Sequence, residues 1–108
     1  MRSITIIDYG MGNICSVKNA FELLNNKVEI INDPSGIKNA DGIILPGVGA
    51  FGNAIKNLKE LRLIEPIKEA VIKQKVPLLG ICLGMQLLAD KSEERGIYEG
   101  LSLIPGNI

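Results

Sequence analysis

Val76-Pro77-Leu78-Leu79-Gly80-Ile81-Cys82-Leu83-Gly84-Met85-Gln86 is the stretch on which the reading of this chain turns. Its apolar run, Val76 to Ile81, reads as a buried strand, and a helix is expected from Gly84 to Asp90. Between them stands Gly-x-Cys-x-Gly, the cysteine form of the nucleophile elbow. A bend this sharp drives the flanking backbones together, so Gly80 and Gly84 belong where no Cβ would fit. The central residue is then expected in a strained conformation, with its side chain pointing out of the sheet. Cys82 would sit at a helix amino terminus, where the dipole favours thiolate. The Leu83 amide would face the space above the sulfur as one donor of an oxyanion hole. The competing reading is a core thiol packed in a tight strand-to-helix turn, the usual place of a free cysteine.

Upstream, Gly42-Ile43-Ile44-Leu45 is a short, wholly apolar strand, expected near the centre of a sheet. Pro46-Gly47-Val48-Gly49 ends it. The two glycines allow the peptides between them to turn an amide inward, which makes this loop the candidate second donor and an element able to switch between donor-in and donor-out states. A helix is expected from Ala50 to Leu61, and a further helical piece after Glu65-Pro66, with Ile67, Val71 and Ile72 on one side.

Ser3 to Asp8 reads as the first strand, and Tyr9-Gly10-Met11-Gly12-Asn13 as a loop. Ile14, Val17, Phe21 and Leu24 carry the apolar spacing of a helix from Ile14 to Asn25, with Asn13 as its cap. Lys27 to Ile31 is a second strand, followed by a turn at Asp33-Pro34-Ser35-Gly36. Lys91 to Gly96 is a polar, solvated stretch. Leu101 to Ile108 reads as a strand and turn.

Strands alternating with helices imply an α/β fold: a mainly parallel sheet with helices on both faces, a flavodoxin-like three-layer sandwich. Ligands of such sheets bind beyond the carboxyl ends of the strands. The loops Tyr9 to Asn13 and Pro46 to Gly49 and the turn at Cys82 all fall on that edge.

The 108 residues fit one domain. The 12 basic residues are balanced by 12 acidic ones, which leaves no surplus to neutralise phosphates and argues against nucleic acid as a partner. Two cysteines, Cys15 and Cys82, make no disulfide framework and suit a reduced, cytoplasmic compartment. The opening, Met1 to Asp8, holds one positive charge and a brief apolar run, too short for a signal peptide or a membrane span. The sequence contains no histidine.

Gly80-Ile81-Cys82-Leu83-Gly84-Met85-Gln86-Leu87-Leu88 resembles the cysteine motif of the class I (triad) glutamine amidotransferases. Ile7 to Asn13 with Ser16-Val17, Leu45 to Phe51, and Gly100 to Gly106 resemble the same family, in the branch that works with a cyclase of histidine biosynthesis. The resemblance implies that Cys82 forms a glutamyl thioester and releases ammonia. It implies an oxyanion hole from Val48, Gly49 and Leu83, substrate contacts from Gly47 and Gln86, and a partner-facing side at Asn13 and Lys18. Gln86 also reads as an ordinary helical glutamine, Asn13 as a plain helix cap and Lys18 as a solvated charge. The implied partner is a (β/α)8-barrel cyclase subunit, a heterodimer that passes ammonia through an internal tunnel. Neither metal nor cofactor is implied.

The family completes its triad with a His and a Glu beyond the length of this chain. A thiol nucleophile needs a base within hydrogen-bond reach, and Glu93, Glu94 and Glu99, in a polar stretch, are not assigned that role. The chain is therefore expected to be the amino-terminal portion, residues 1–108, of a single amidotransferase domain, inactive alone. Three other readings stay open: a paralogous amidotransferase serving another synthase, a PfpI-like cysteine enzyme, and a non-catalytic binding module. PfpI-like enzymes place a Glu at the end of the first strand, where this chain has Asp8-Tyr9. A nucleotide loop at Tyr9 to Asn13 would lack the full glycine run and an acidic end to the second strand.

Overall fold

Short segments, β-branched-rich in all but the last, build the sheet. β1 (Ser3–Ile7), β2 (Lys27–Ile31), β3 (Gly42–Leu45) and β4 (Leu78–Gly80) run parallel in the order β2-β1-β3-β4 in this computed structural model, which describes residues 3–108. Met1 and Arg2, the latter the positive charge of the opening stretch, lie outside the described residues. The register pairs Thr5 with Ile43 and Ile6 with Ile44, and Ile43 and Ile44 with Leu78 and Leu79. Side chains alternate across a strand, so Ile7, Ile43 and Leu45 share one face, and Ile4, Ile6 and Ile44 the other.

The first face is covered by α2 (Phe51–Glu60) and α3 (Ile64–Ile72): Phe51, Ala54, Ile55, Leu58, Ile67 and Ala70 join Ile7, Ile43 and Leu45 in one buried cluster. α1 (Ile14–Leu23) links β1 to β2 and packs on both. The chain moves the opposite way along the sheet here, so a right-handed crossover puts α1 on the second face. This is the expected three-layer α/β architecture. β3 lies between β1 and β4 with all four residues buried, as its apolar run predicts. Among the described residues no helix is long and apolar enough to cross a membrane.

Several boundaries differ from the sequence expectation. β4 is Leu78–Gly80 rather than Val76 to Ile81: these residues stand opposite Ile43 to Leu45, and beyond them Pro77 gives β3 only its carbonyl and Ile81 only its amide. α1 ends at Leu23, and Leu24, expected on its apolar stripe, is 72% exposed; Ile14, Val17 and Phe21 are half-buried. Ile72, expected beside Ile67, is 50% exposed, and Ala70, three residues after Ile67, takes the inward position. The turn at Asp33 continues as a 3-10 turn, Pro34–Ile37, with the Asp33 carboxylate accepting from the Ser35 amide at 2.9 Å.

The largest difference follows Cys82. The helix expected from Gly84 to Asp90 is a single turn, α4 (Leu83–Gln86). Beyond it, the carbonyls of Leu87, Leu88, Ala89 and Asp90 are taken by amides from Gly100 to Ile104, at 2.8–3.0 Å. The later segment thus replaces the i+4 partners that a longer helix needs. Lys91 to Gly96 is not a plain loop: β5 (Lys91–Ser92) pairs antiparallel with β6 (Tyr98–Glu99), and Ser92 is fully buried. Leu101 is fully buried but forms no strand. The hairpin leans on α2 through the Tyr98 ring, which a Cβ on Gly52 would strike at 2.6 Å.

Candidate active site

Cys82 joins β4 to α4 with φ 54° and ψ −117°, a backbone conformation that side-chain-bearing residues rarely hold. A Cβ on Gly80 would stand 2.7 Å from the Met85 Cα, and one on Gly84 would collide with the Leu45 carbonyl oxygen. Neither obstacle is a movable side-chain tip, so both positions require glycine. The Cys82 carbonyl accepts from the Met85 and Gln86 amides at 3.0 and 3.3 Å, which starts α4 directly after the bend. The Cys82 side chain is exposed and free of any disulfide. That placement overturns the core-thiol alternative.

The loop Pro46 to Gly49 lies against this turn. Pro46 and Gly47 are buried, whereas Val48 is 62% exposed and Gly49 is exposed with φ 118°. The Leu83 amide donates to the Gly47 carbonyl at 3.1 Å. The two elements expected to supply oxyanion donors are therefore bonded to each other: one gives its amide, the other turns a carbonyl toward it. Gln86 ends α4 and is half-buried. At the start of α1, the Asn13 side chain accepts from the Ser16 amide at 3.3 Å, the predicted cap, and Lys18 is half-buried one turn on. Asp8, where a PfpI-like enzyme would carry Glu, turns its carboxylate to the Gly10 amide at 3.3 Å. Glu93, Glu94 and Glu99 are exposed. Among the described residues no group of His, Cys, Asp and Glu is gathered that could hold a metal ion.

From the sequence, Tyr9 is only part of a glycine loop. It is 2% exposed, and its hydroxyl donates to the Pro46 carbonyl at 2.5 Å. Its own carbonyl accepts from Asn57 Nδ2, on α2, at 3.0 Å. Burial pushes the phenol well above its ordinary pKa, so it remains a proton donor. The available signal was an aromatic residue placed directly after a buried strand, facing a second glycine-rich loop.

A parallel α/β sheet that presents an exposed cysteine on a strained, glycine-flanked elbow has the layout of the nucleophile-elbow class. Residues 5–101 match the family model "Glutamine amidotransferase class-I", and the chain belongs to that family.

Among curated proteins, the chain is 54% identical over 108 residues to "Imidazole glycerol phosphate synthase subunit HisH" of Moorella thermoacetica, covering 100% of this chain and 51% of that protein. It is 53% identical over 105 residues to the protein of the same name from Sulfurimonas denitrificans, covering 97% and 50%. The chain thus spans about half the length of the curated relatives it matches. Two solved structures share the fold. A peptidase E protein from Listeria monocytogenes superposes with TM-score 0.79 at 16% identity, over 95% of this chain and 63% of that one. A glutamine amidotransferase superposes with TM-score 0.72 at 19% identity, over 83% and 47%.

Proposed function

We propose that the chain carries the nucleophile half of a glutamine amidotransferase that feeds ammonia to imidazole glycerol phosphate synthesis, in the histidine pathway. The observation that carries this reading is the exposed Cys82 at φ 54° between two glycines that tolerate no Cβ. In the reaction, the Cys82 thiol gives its proton to a base and its sulfur attacks the side-chain carboxamide carbon of glutamine. The oxyanion collects donors from Leu83 and from Val48 and Gly49. The C–N bond then breaks, ammonia leaves with a proton returned by the base, and water hydrolyses the thioester to glutamate. Gly47 and Gln86 hold the substrate.

The 108 residues contain no histidine, so the base comes from outside them and the chain alone turns over glutamine poorly. The Leu83 amide, given to Gly47 at 3.1 Å, becomes free only when the Gly47–Val48 peptide turns over. That rotation also exchanges a carbonyl for an amide at the same place, so one movement supplies two donors. The partner is a (β/α)8-barrel cyclase docked on the side of Asn13 and Lys18, in the cytoplasm, and neither cofactor nor metal is required. The relatives' name, a synthase subunit, supports a partner. The PfpI-like reading gains nothing: Asp8 is spent on a turn amide.

The test is labelling of the 108-residue chain by a glutamine-mimicking electrophile such as 6-diazo-5-oxonorleucine, with peptide mass mapping. Selective addition at Cys82, prevented by excess glutamine, is the expected result. Equal labelling of Cys15 and Cys82, indifferent to glutamine, would refute the proposal.

A further inference from the structure

We propose that Tyr9 is a positioning residue for the Pro46–Gly49 loop: its hydroxyl pins the Pro46 carbonyl, so that rearrangement is confined to the peptides after it. The chemical consequence rests on the amidotransferase reading of Cys82; the pin itself does not.

The loop is held from the β1 side at three points. The Tyr9 hydroxyl takes the Pro46 carbonyl at 2.5 Å and fills the space a Gly47 side chain would need. A Cβ on Gly12 would stand 3.3 Å from the Gly47 Cα and nitrogen, so backbone lies directly on backbone. The Met11 methyl is 2.9 Å from where a Gly49 Cβ would be. Pro46 adds a fixed φ and no N–H of its own.

Tyr9 is held in turn. Its carbonyl is bonded by Asn57, and its ring is buried. The next two residues of the loop differ in kind. Gly47 is buried and offers its carbonyl to Leu83, whereas Val48 faces solvent. The peptide between them can therefore turn at the cost of one hydrogen bond, while its amino-terminal hinge stays fixed. Without the pin, Pro46 would drift with the peptide, and donors would point at a spread of positions rather than one. Preorganised donors, not merely available ones, are what stabilise an oxyanion.

The Tyr9 hydroxyl bonds to the Pro46 carbonyl rather than to Cys82, so the test must separate positioning from general stability. Amide hydrogen exchange is measured in the full chain and in Tyr9→Phe. Leu83, whose amide bonds to the pinned loop, is compared with Leu63 and Ile67, whose amides bond to the fully buried Leu58 and Leu63 carbonyls at 3.0 and 3.1 Å. Leu83 exchange is expected to rise about tenfold relative to the other two, the scale of one lost hydrogen bond. An unchanged Leu83, or a rise shared by all three, overturns the proposal.

Should Tyr9→Phe fail to fold, the unaltered chain decides. A pinned hydroxyl gives a slowly exchanging proton resonance with cross-peaks to Gly47, and its absence overturns the proposal. In parallel, Cys82 of Tyr9→Phe is expected to react about tenfold more slowly with 6-diazo-5-oxonorleucine, and at an unchanged rate with iodoacetamide. If Cys15 and Cys82 of the unaltered chain take the glutamine mimic equally and regardless of glutamine, the amidotransferase reading fails, and Leu83 exchange still judges Tyr9.

Discussion

Replacing Gly84 by alanine puts a methyl group where the Leu45 carbonyl already stands. The new Cβ would overlap the carbonyl oxygen, lie 2.7 Å from the carbonyl carbon and lie 3.2 Å from the Pro46 carbonyl carbon. Leu45 is fully buried in the middle of the sheet, and its carbonyl accepts the Ile81 amide at 3.0 Å. The strand cannot retreat without breaking that bond and the pairing of Leu45 with Gly80. Overpacking against movable side chains costs about 1–3 kcal/mol, and the loss of a buried hydrogen bond adds about 1 kcal/mol. We therefore expect Gly84→Ala to cost about 3–4 kcal/mol. With a urea m-value of about 1.5 kcal/mol/M, the unfolding midpoint should fall by about 2 M. Gly106→Ala is the control: Gly106 has φ 125° but nothing within 4 Å of its Cβ position, so it tests backbone strain alone. That change should cost about 1 kcal/mol. Equal midpoints for the two variants would show that the elbow has room to give, and the steric argument for its glycines would be wrong.

Cys82→Gly relieves the strain at φ 54° and should raise Tm by about 5 °C, read by thermal denaturation; a lower Tm would mean the bend is unstrained. Asn13→Ala removes the bond to the Ser16 amide and should cost about 1 kcal/mol in urea titration, with Cys82 labelling unchanged. Tyr9 holds its proton more tightly folded than unfolded because it is desolvated. Its contribution is thus complete below the unfolded pKa of about 10 and is lost as pH climbs past it. Between about pH 10 and 11.5, stability should fall more steeply for the unaltered chain than for Tyr9→Phe, by up to about 1.4 kcal/mol per pH unit; parallel profiles would refute a desolvated Tyr9.

The parallel sheet and the elbow were legible because each rests on local constraints. Ile43-Ile44-Leu45 is apolar on both faces, as a strand between two others must be, and Gly80 and Gly84 are the residues a crowded bend demands. The end of α4 was not legible. Leu87 and Leu88 continue a helical pattern, and it is amides from more than ten residues onward that take their carbonyls. Tertiary pairing overrode local periodicity. The β5-β6 hairpin was hidden by charge. Glu93, Glu94 and Arg95 read as solvated, yet the sign of a turn was present in Gly96, with φ 127°, followed by the strand-prone Ile97 and Tyr98. At the site, the positions of Cys82 and the Pro46–Gly49 loop followed from topology. The Leu83–Gly47 bond did not, since spacing along the chain does not say which way a glycine peptide faces.

The strand order carries a consequence for how the chain is made. β1 emerges from the ribosome before β2 and β3, yet it is bonded on both edges by these two strands. About 35 residues separate its end from the start of β3, which at ribosomal speed is a wait of about 2–7 s. During that interval Ile6 and Ile7, fully enclosed in the finished molecule, have one neighbouring strand at most. A strand that ends with Ile6 and Ile7 fully enclosed thus waits longest for its second neighbour, and the nascent chain is open to misassociation there.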